Sequence, residues 1–212
     1  MAIIVPTLLV KNIDEAKRRL EMLPEDVEIV SIDIMDGTFV EPTTFFDAEQ
    51  IGAIDSEVLF DLDLMVNDPL PIIEAWAKNP RTTRAIVHAE LDTDIRALIT
   101  RIHELKLEAG IALLPKTSVA DVEHLLNDVD MVLIRGNEPG YSGKEFDRAM
   151  LSKIVELSEE HPHLSITIDI GVNKNTIPDL VAAGATHLSV NSAIFGEDDP
   201  IEALRELQEL AR

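Results

Sequence analysis

Three aspartates stand inside runs that otherwise read as buried β-strand: Asp33 in IVSIDIMDG, Asp63 in LFDLDLMV and Asp169 in ITIDIG. A carboxylate removed from water is costly unless it is paired, hydrogen-bonded or metal-bound. Such groups at strand ends are suited to general acid–base chemistry, so Asp33 and Asp169 are the candidate catalytic pair. A strand period of two puts Ser31, Asp33 and Met35 on one face, and Asp61, Asp63 and Met65 on one face of the next run. Asp61 reads as structural, and Asp36, just before Gly37, as a turn or cap residue. His88 ends the IVHA run with Glu90 on its face, and reads as a site-lining or satisfied core histidine rather than a base. His103, His124, His161, His163 and His187 are expected on the solvated surface.

A second kind of chemistry is written in the loops. The segment NEPGYSG (137–143) follows the apolar run MVLIR, and backbone amides in such a turn can converge on an anion. Gly140, Tyr141, Ser142 and Gly143 in this segment, Gly171 after ITIDI, and Asn191 and Ser192 after the last run together point to a phosphorylated ligand. Thr7, Met35, Met65, His88 and Arg135, at or near the ends of other runs, complete the candidate substrate-binding set.

These residues must be held by something regular. Apolar, β-branched runs alternate with helix-period segments eight times, from Ala2–Leu9 and Ile13–Met22 to His187–Val190 and Pro200–Leu210. Asn12 is placed to cap the first helix. Alternation of this kind implies parallel strands with right-handed crossovers, and eight units predict a closed (β/α)8 TIM barrel. No linker-like stretch interrupts it, so residues 1–212 are expected to form a single domain. The alternative is an open doubly wound sheet, but no GxGxxG follows the first strand. In a barrel the chemistry lies where strands end and βα loops begin.

Composition narrows the ligand. The chain of 212 residues carries 18 Lys+Arg against 40 Asp+Glu, a net charge of −22. That surface repels phosphate backbones and anionic lipid, so neither nucleic acid nor membrane is an expected partner. Without cysteine there are no disulfides, thiol nucleophiles or thiolate metal ligands. No apolar run reaches the roughly 18 residues of a membrane span, and no basic, signal-like start precedes the first run. A cytoplasmic location is expected.

Several motifs together resemble the ribulose-phosphate 3-epimerase family across nearly the whole chain. IDIMDGTFV at 32–40 is similar to its VDVMDGxFV, LMVNDP at 64–69 to its LMVxxP, and VHAE at 87–90 to its VHxE. EPGYSGKEF at 138–146, IDIGVN at 168–173 and NSAIFG at 191–196 are similar to its NPGFGGQxF, VDGGIN and GSAIFG. The resemblance implies a barrel that interconverts D-ribulose 5-phosphate and D-xylulose 5-phosphate, with Asp33 and Asp169 as the acid–base groups on either face of the sugar. It also implies a homo-oligomer.

The departures from the pattern concern charge. The family's divalent metal is held by two histidines and the two aspartates, and here Ser31 and Asp63 stand at the histidine positions. Arg135 takes the place of a strand-six methionine, and Ser142, Ile170 and Asn191 stand where glycine is expected. Asp33, Asp63 and Asp169 would suit Mg or Mn better than Zn. The other arrangement, and the one expected here, has Lys116 or Arg135 supply the positive charge and pair with Asp63. A non-catalytic or repurposed sugar-phosphate-binding barrel without the metal site is the alternative function.

Overall fold

A computed structural model describes residues 1–140 and 143–212. Eight parallel strands close into a barrel, each hydrogen-bonded to the next and β8 to β1. They are β1 (Ile3–Leu8), β2 (Ile29–Met35), β3 (Leu59–Met65), β4 (Thr82–His88), β5 (Glu108–Leu113), β6 (Met131–Arg135), β7 (Ser165–Asp169) and β8 (His187–Val190). The helices between them are α1 (Ile13–Glu21), α2 (Ala48–Gly52), α3 (Leu70–Trp76), α4 (Ile95–Glu104), α5 (Val119–Val122), α6 (Leu151–Glu160) and α7 (Ile177–Ala183). After β8 come α8 (Ser192–Phe195) and α9 (Pro200–Leu210). The sequence pattern does not announce α8, because four residues are too few to show a helical period. Asn12 caps α1 as expected, its side chain accepting from Glu15 N at 2.9 Å. Among the described residues no helix is long and apolar enough to cross a membrane.

Strand alternation divides the buried residues into two populations. Outward-facing Ile32, Ile34, Leu62, Leu64, Val87, Ile111 and Ile168 pack with Leu20, Ile73, Trp76, Ile102, Ile154 and Leu180 of the helices. The inward residues form layers, as barrel interiors do. Ile86, Ala112, Met131 and Leu133 make an apolar cluster separate from the outer core. Below it, at the N-terminal end, Arg84 donates to Asp61 at 2.6 Å and through Nε to Glu108 at 2.9 Å. Thr83, the extra residue at a β3–β4 bulge, donates to the same Asp61 carboxylate at 3.0 Å. Asp61 is thus structural, as expected, and its pair lies at the face of the barrel that serves stability.

Two histidines depart from their expected solvated positions. His161, at the end of α6, is 7% exposed, 3.2 Å from Glu123 and against the ring of His163. His187 is half-buried because it shares the inward parity of Ser189, and burial followed by the Arg84 charge pushes its pKa down to about 4. Between pH 6.5 and 4 the unfolded chain therefore binds a proton at this ring that the folded chain refuses, so this histidine makes stability fall as pH falls. Wild type and His187→Gln compared by urea unfolding should show it. The stability of wild type relative to the variant should be flat above about pH 7 and drop by up to ~1.4 kcal/mol per pH unit below about 6.5. A pH-independent difference would place the ring in water.

Candidate functional site

At the C-terminal mouth of the barrel a cleft gathers ten of the candidate site residues singled out in the sequence. Asp33 and Met35 come from β2, Met65 from β3, Arg135 from β6 and Asp169 from β7. Gly140 and Gly143 reach it from the loop after β6, Gly171 from that after β7, and Asn191 and Ser192 from the start of α8. Two of the substrate-binding candidates lie behind the lining instead. Thr7 is buried on β1, with its carbonyl accepting from Asn191 Nδ2 at 3.1 Å, and His88 is fully buried behind Arg135. Tyr141 and Ser142 fall outside the described residues. Leu9, Pro139, Ile170, Val172 and Ser189 also line the cleft. Of these, Ser189 was legible in principle, since it shares the face of Asn191 two residues on.

Arg135 organises the electrostatics. Its side chain is 0% exposed, donating from Nη1 to Asp169 at 2.5 Å and from Nη2 to Asp63 at 2.5 Å. Nη2 also lies 3.1 Å from His88 Nε2. A guanidinium can only donate, so His88 Nε2 accepts and its Nδ1–H faces Glu90 Oε2 at 3.2 Å. Burial lowers the His88 pKa, in keeping with this neutral tautomer. Burial works against ionisation of Glu90, but hydrogen bonds from His88, Thr117 and Leu114 N prevail and its pKa is lowered. Phe39, from the loop after β2, covers the His88 ring at 4.4 Å. Burial alone would weaken the Arg135 cation, yet Asp63 and then Asp169 more than compensate and raise its pKa. Lys116, the other candidate cation, is exposed in the loop beyond β5.

The two candidate acids differ in their surroundings. Asp33 is the register partner of Asp63 across β2 and β3, two carboxylates side by side. Burial, then Asp169 and Asp63, push the Asp33 carboxyl well above the usual carboxylate range. Its Oδ1 is buried with no hydrogen-bond partner among the described residues, while its backbone carbonyl accepts from Thr44 Oγ1 at 2.6 Å, fixing the end of β2. Asp169 is the register partner of Arg135. Burial raises its pKa as well, but the contact with Arg135 opposes this first of all. Burial and the neighbouring carboxylates thus oppose ionisation of Asp33 more strongly than that of Asp169, where Arg135 offsets them.

The residues expected to hold a divalent metal do not fit one. The guanidinium of Arg135 bridges Asp63 and Asp169, while Ser31 offers no imidazole. Asp63 lies beneath the lining of the cleft, and among the described residues no three histidine or carboxylate side chains converge on a common point. The Asp33, Asp63 and Asp169 metal set is thus corrected to an arginine-centred ion cluster, for the physical reason that a fixed cation already satisfies two of its carboxylates.

The ends of β6 and β7 dock through two glycines. A Cβ on Gly136 would stand 2.2 Å from Ile170 O, and one on Gly171 2.2 Å from Phe146 N. Gly171, expected to make room for a ligand, therefore also makes room for the chain. Ile170 has φ +75°, a strained conformation for a β-branched residue, next to Asp169. Across the cleft α8 begins at Ser192 with no side-chain cap, and the Asn191 Nδ2 donates to the Thr7 carbonyl. A short helix opening beside the last loops of a barrel is a common place for a phosphate.

Comparison with known proteins bears on the family and the fold. The model of the "Ribulose-phosphate 3 epimerase family" matches residues 3–195. A ribulose-phosphate 3-epimerase of Bacillus subtilis (strain 168) is 34% identical over 188 residues, 85% of this chain and 86% of that protein. The cytoplasmic isoform of that enzyme from Oryza sativa subsp. japonica is 33% identical over 183 residues, covering 84% and 79%. Among solved structures, 3-hexulose-6-phosphate synthase from Salmonella typhimurium superposes over 98% of this chain and 97% of its own with a TM-score of 0.75. At 16% identity that likeness concerns the fold alone.

Proposed function

The chain belongs to the ribulose-phosphate 3-epimerase family, and from that membership we propose that it interconverts D-ribulose 5-phosphate and D-xylulose 5-phosphate, or a closely similar ketose phosphate, with Asp33 and Asp169 as its acid–base pair. It is an isomerase of the carbohydrate epimerase class. The observation that supports the acid–base assignment is that both carboxyls line the same cleft, Asp169 paired with Arg135 and Asp33 with an Oδ1 that has no partner among the described residues. With the sugar's C3 between them, ionised Asp169 takes the C3 proton, and the electron pair flows towards the C2 carbonyl to form an enediolate. Asp33 then delivers its proton to the opposite face of C3, inverting the centre. The reverse reaction exchanges the two roles and restores both protons to their starting places. Met35 and Met65 supply an apolar lining that keeps water from the reacting carbon. The phosphate is assigned to the backbone amides around Gly140, Gly143, Gly171, Asn191 and Ser192, with Tyr141 and Ser142 of the same loop.

Incubation with ribulose 5-phosphate in deuterium oxide tests this. Deuterium should enter at C3 together with the appearance of xylulose 5-phosphate. Saturable binding with no exchange under any divalent metal would leave the repurposed binding barrel as the function. The same reading assigns the chain to the cytoplasm, with a small phosphorylated sugar rather than nucleic acid or membrane as partner. Homo-oligomerisation is part of this proposal and is open to sedimentation analysis.

A further inference from the structure

We propose that the guanidinium of Arg135 is the fixed cation that stabilises the enediolate oxygen, so that the chain performs its proton transfers without a divalent metal. The inference rests on the reading of Asp33 and Asp169 as a proton-transfer pair and adds the group that stabilises the intermediate in a dry site. An oxyanion forming away from water needs a preorganised positive charge or aimed donors. Among the described residues Arg135 is the one Lys or Arg that lines the cleft, fully buried just beneath its surface, and it borders the same space as Asp33 and Asp169.

The donor inventory leaves capacity for this task. A guanidinium carries five N–H groups. Nη2 uses both of its hydrogens, on Asp63 and on His88 Nε2, and Nη1 uses one on Asp169. The second Nη1–H remains, and Nε is buried with no partner among the described residues. Orientation is fixed from behind. His88 acts as a positioning residue, held by Glu90, which in turn accepts from Leu114 N at 2.9 Å and from Thr117 Oγ1. The planar fork thus cannot swing, and a fork locked on three sides costs no reorganisation when charge develops. Charge flow favours the same step. When Asp169 takes the substrate proton it loses its own negative charge, and Arg135 is left with only Asp63 as counter-charge. One negative charge has moved from the carboxylate to the enediolate beside the same cation, so the total charge of the site is unchanged.

The test is binding of a phosphorylated four-carbon hydroxamate, whose anion imitates the enediolate, measured calorimetrically on EDTA-stripped protein. Because Arg135→Met alone would strand Asp63, the comparison is the double variant Arg135→Met/Asp63→Asn, which removes both charges together. The wild type should bind the hydroxamate without metal. The double variant should bind it about 10²–10³-fold more weakly, while its affinity for inorganic phosphate is retained. The inference is overturned if wild type binds only after Mg²⁺, Mn²⁺ or Zn²⁺ is added, if it does not bind at all, or if the double variant keeps its affinity. Absence of C3 deuterium exchange in wild type would sink the epimerase reading instead. In that case metal-free hydroxamate binding would still identify Arg135 as an oxyanion-holding group.

Discussion

Asp33→Asn and Asp169→Asn should each lower epimerisation by about 10²–10⁴-fold, and each should leave proton exchange on a different epimer. An amide keeps the shape of the carboxyl but neither accepts a proton from carbon nor delivers one. With Asn at position 33, Asp169 can still remove the C3 proton of the epimer that presents it to β7 and return a deuteron to the same face. That epimer would then wash in solvent deuterium without inverting. With Asn at position 169, the other epimer should behave in this way through Asp33. Loss of the fold does not account for the effect at position 33. The Asp33 carboxyl is buried, has an Oδ1 without a partner among the described residues, and faces Asp63 across the sheet. A neutral amide there removes the cost of burying an ionisable group beside Asp63, so the unfolding midpoint should hold or rise. Nuclear magnetic resonance of C3 in deuterium oxide follows exchange and inversion in one experiment. Variants that exchange the same epimer, or that turn over within about tenfold of wild type, would show that the two aspartates do not occupy opposite faces.

Much of this site was legible in the sequence because strand parity is a strong constraint. Asp33, Asp63 and Asp169 stood out as carboxylates in apolar strand-like runs, and a closed barrel leaves inward parity no destination other than the interior. The barrel itself followed from eightfold alternation. Partnerships were harder to read. Asp63, His88, Arg135 and Asp169 are far apart in the chain and meet only because β3, β4, β6 and β7 curve round one axis. Lys116 and Arg135 were equivalent as candidate cations until their places were known. β5 ends at Leu113, which leaves Lys116 in a loop facing water, whereas Arg135 is the last residue of β6 with its side chain turned inward. The close approach of Phe146 to Gly171, the positive φ of Ile170 and the inward turn of His187 depend on tertiary packing that no local pattern encodes.

Arg135→Met on its own should destabilise the chain by about 3–5 kcal/mol, and Asp63→Asn added to it should recover much of that loss. The argument is one of solvation. Asp63 has a side chain 2% exposed and depends on Arg135 Nη2, with Asp33 as its neighbour across the sheet. Taking away the guanidinium leaves an anion that neither water nor another cation can reach, and the remaining choice is to take up a proton or unfold. A neutral asparagine at position 63 removes the buried charge, and a thioether fits the apolar layer of Met131 and Leu133 just below. Urea unfolding of wild type, both single variants and the double variant would give the coupling directly, provided the slopes are equal. Asp63→Asn alone should cost less than Arg135→Met, because the cation would keep Asp169 as counter-charge. A double variant no more stable than Arg135→Met would mean that the arginine is held by packing and not by its carboxylates. Recovery of stability without recovery of hydroxamate binding would separate the two tasks of this residue. The first is neutralising Asp63 beneath the cleft, and the second is presenting its remaining N–H groups to the enediolate within it.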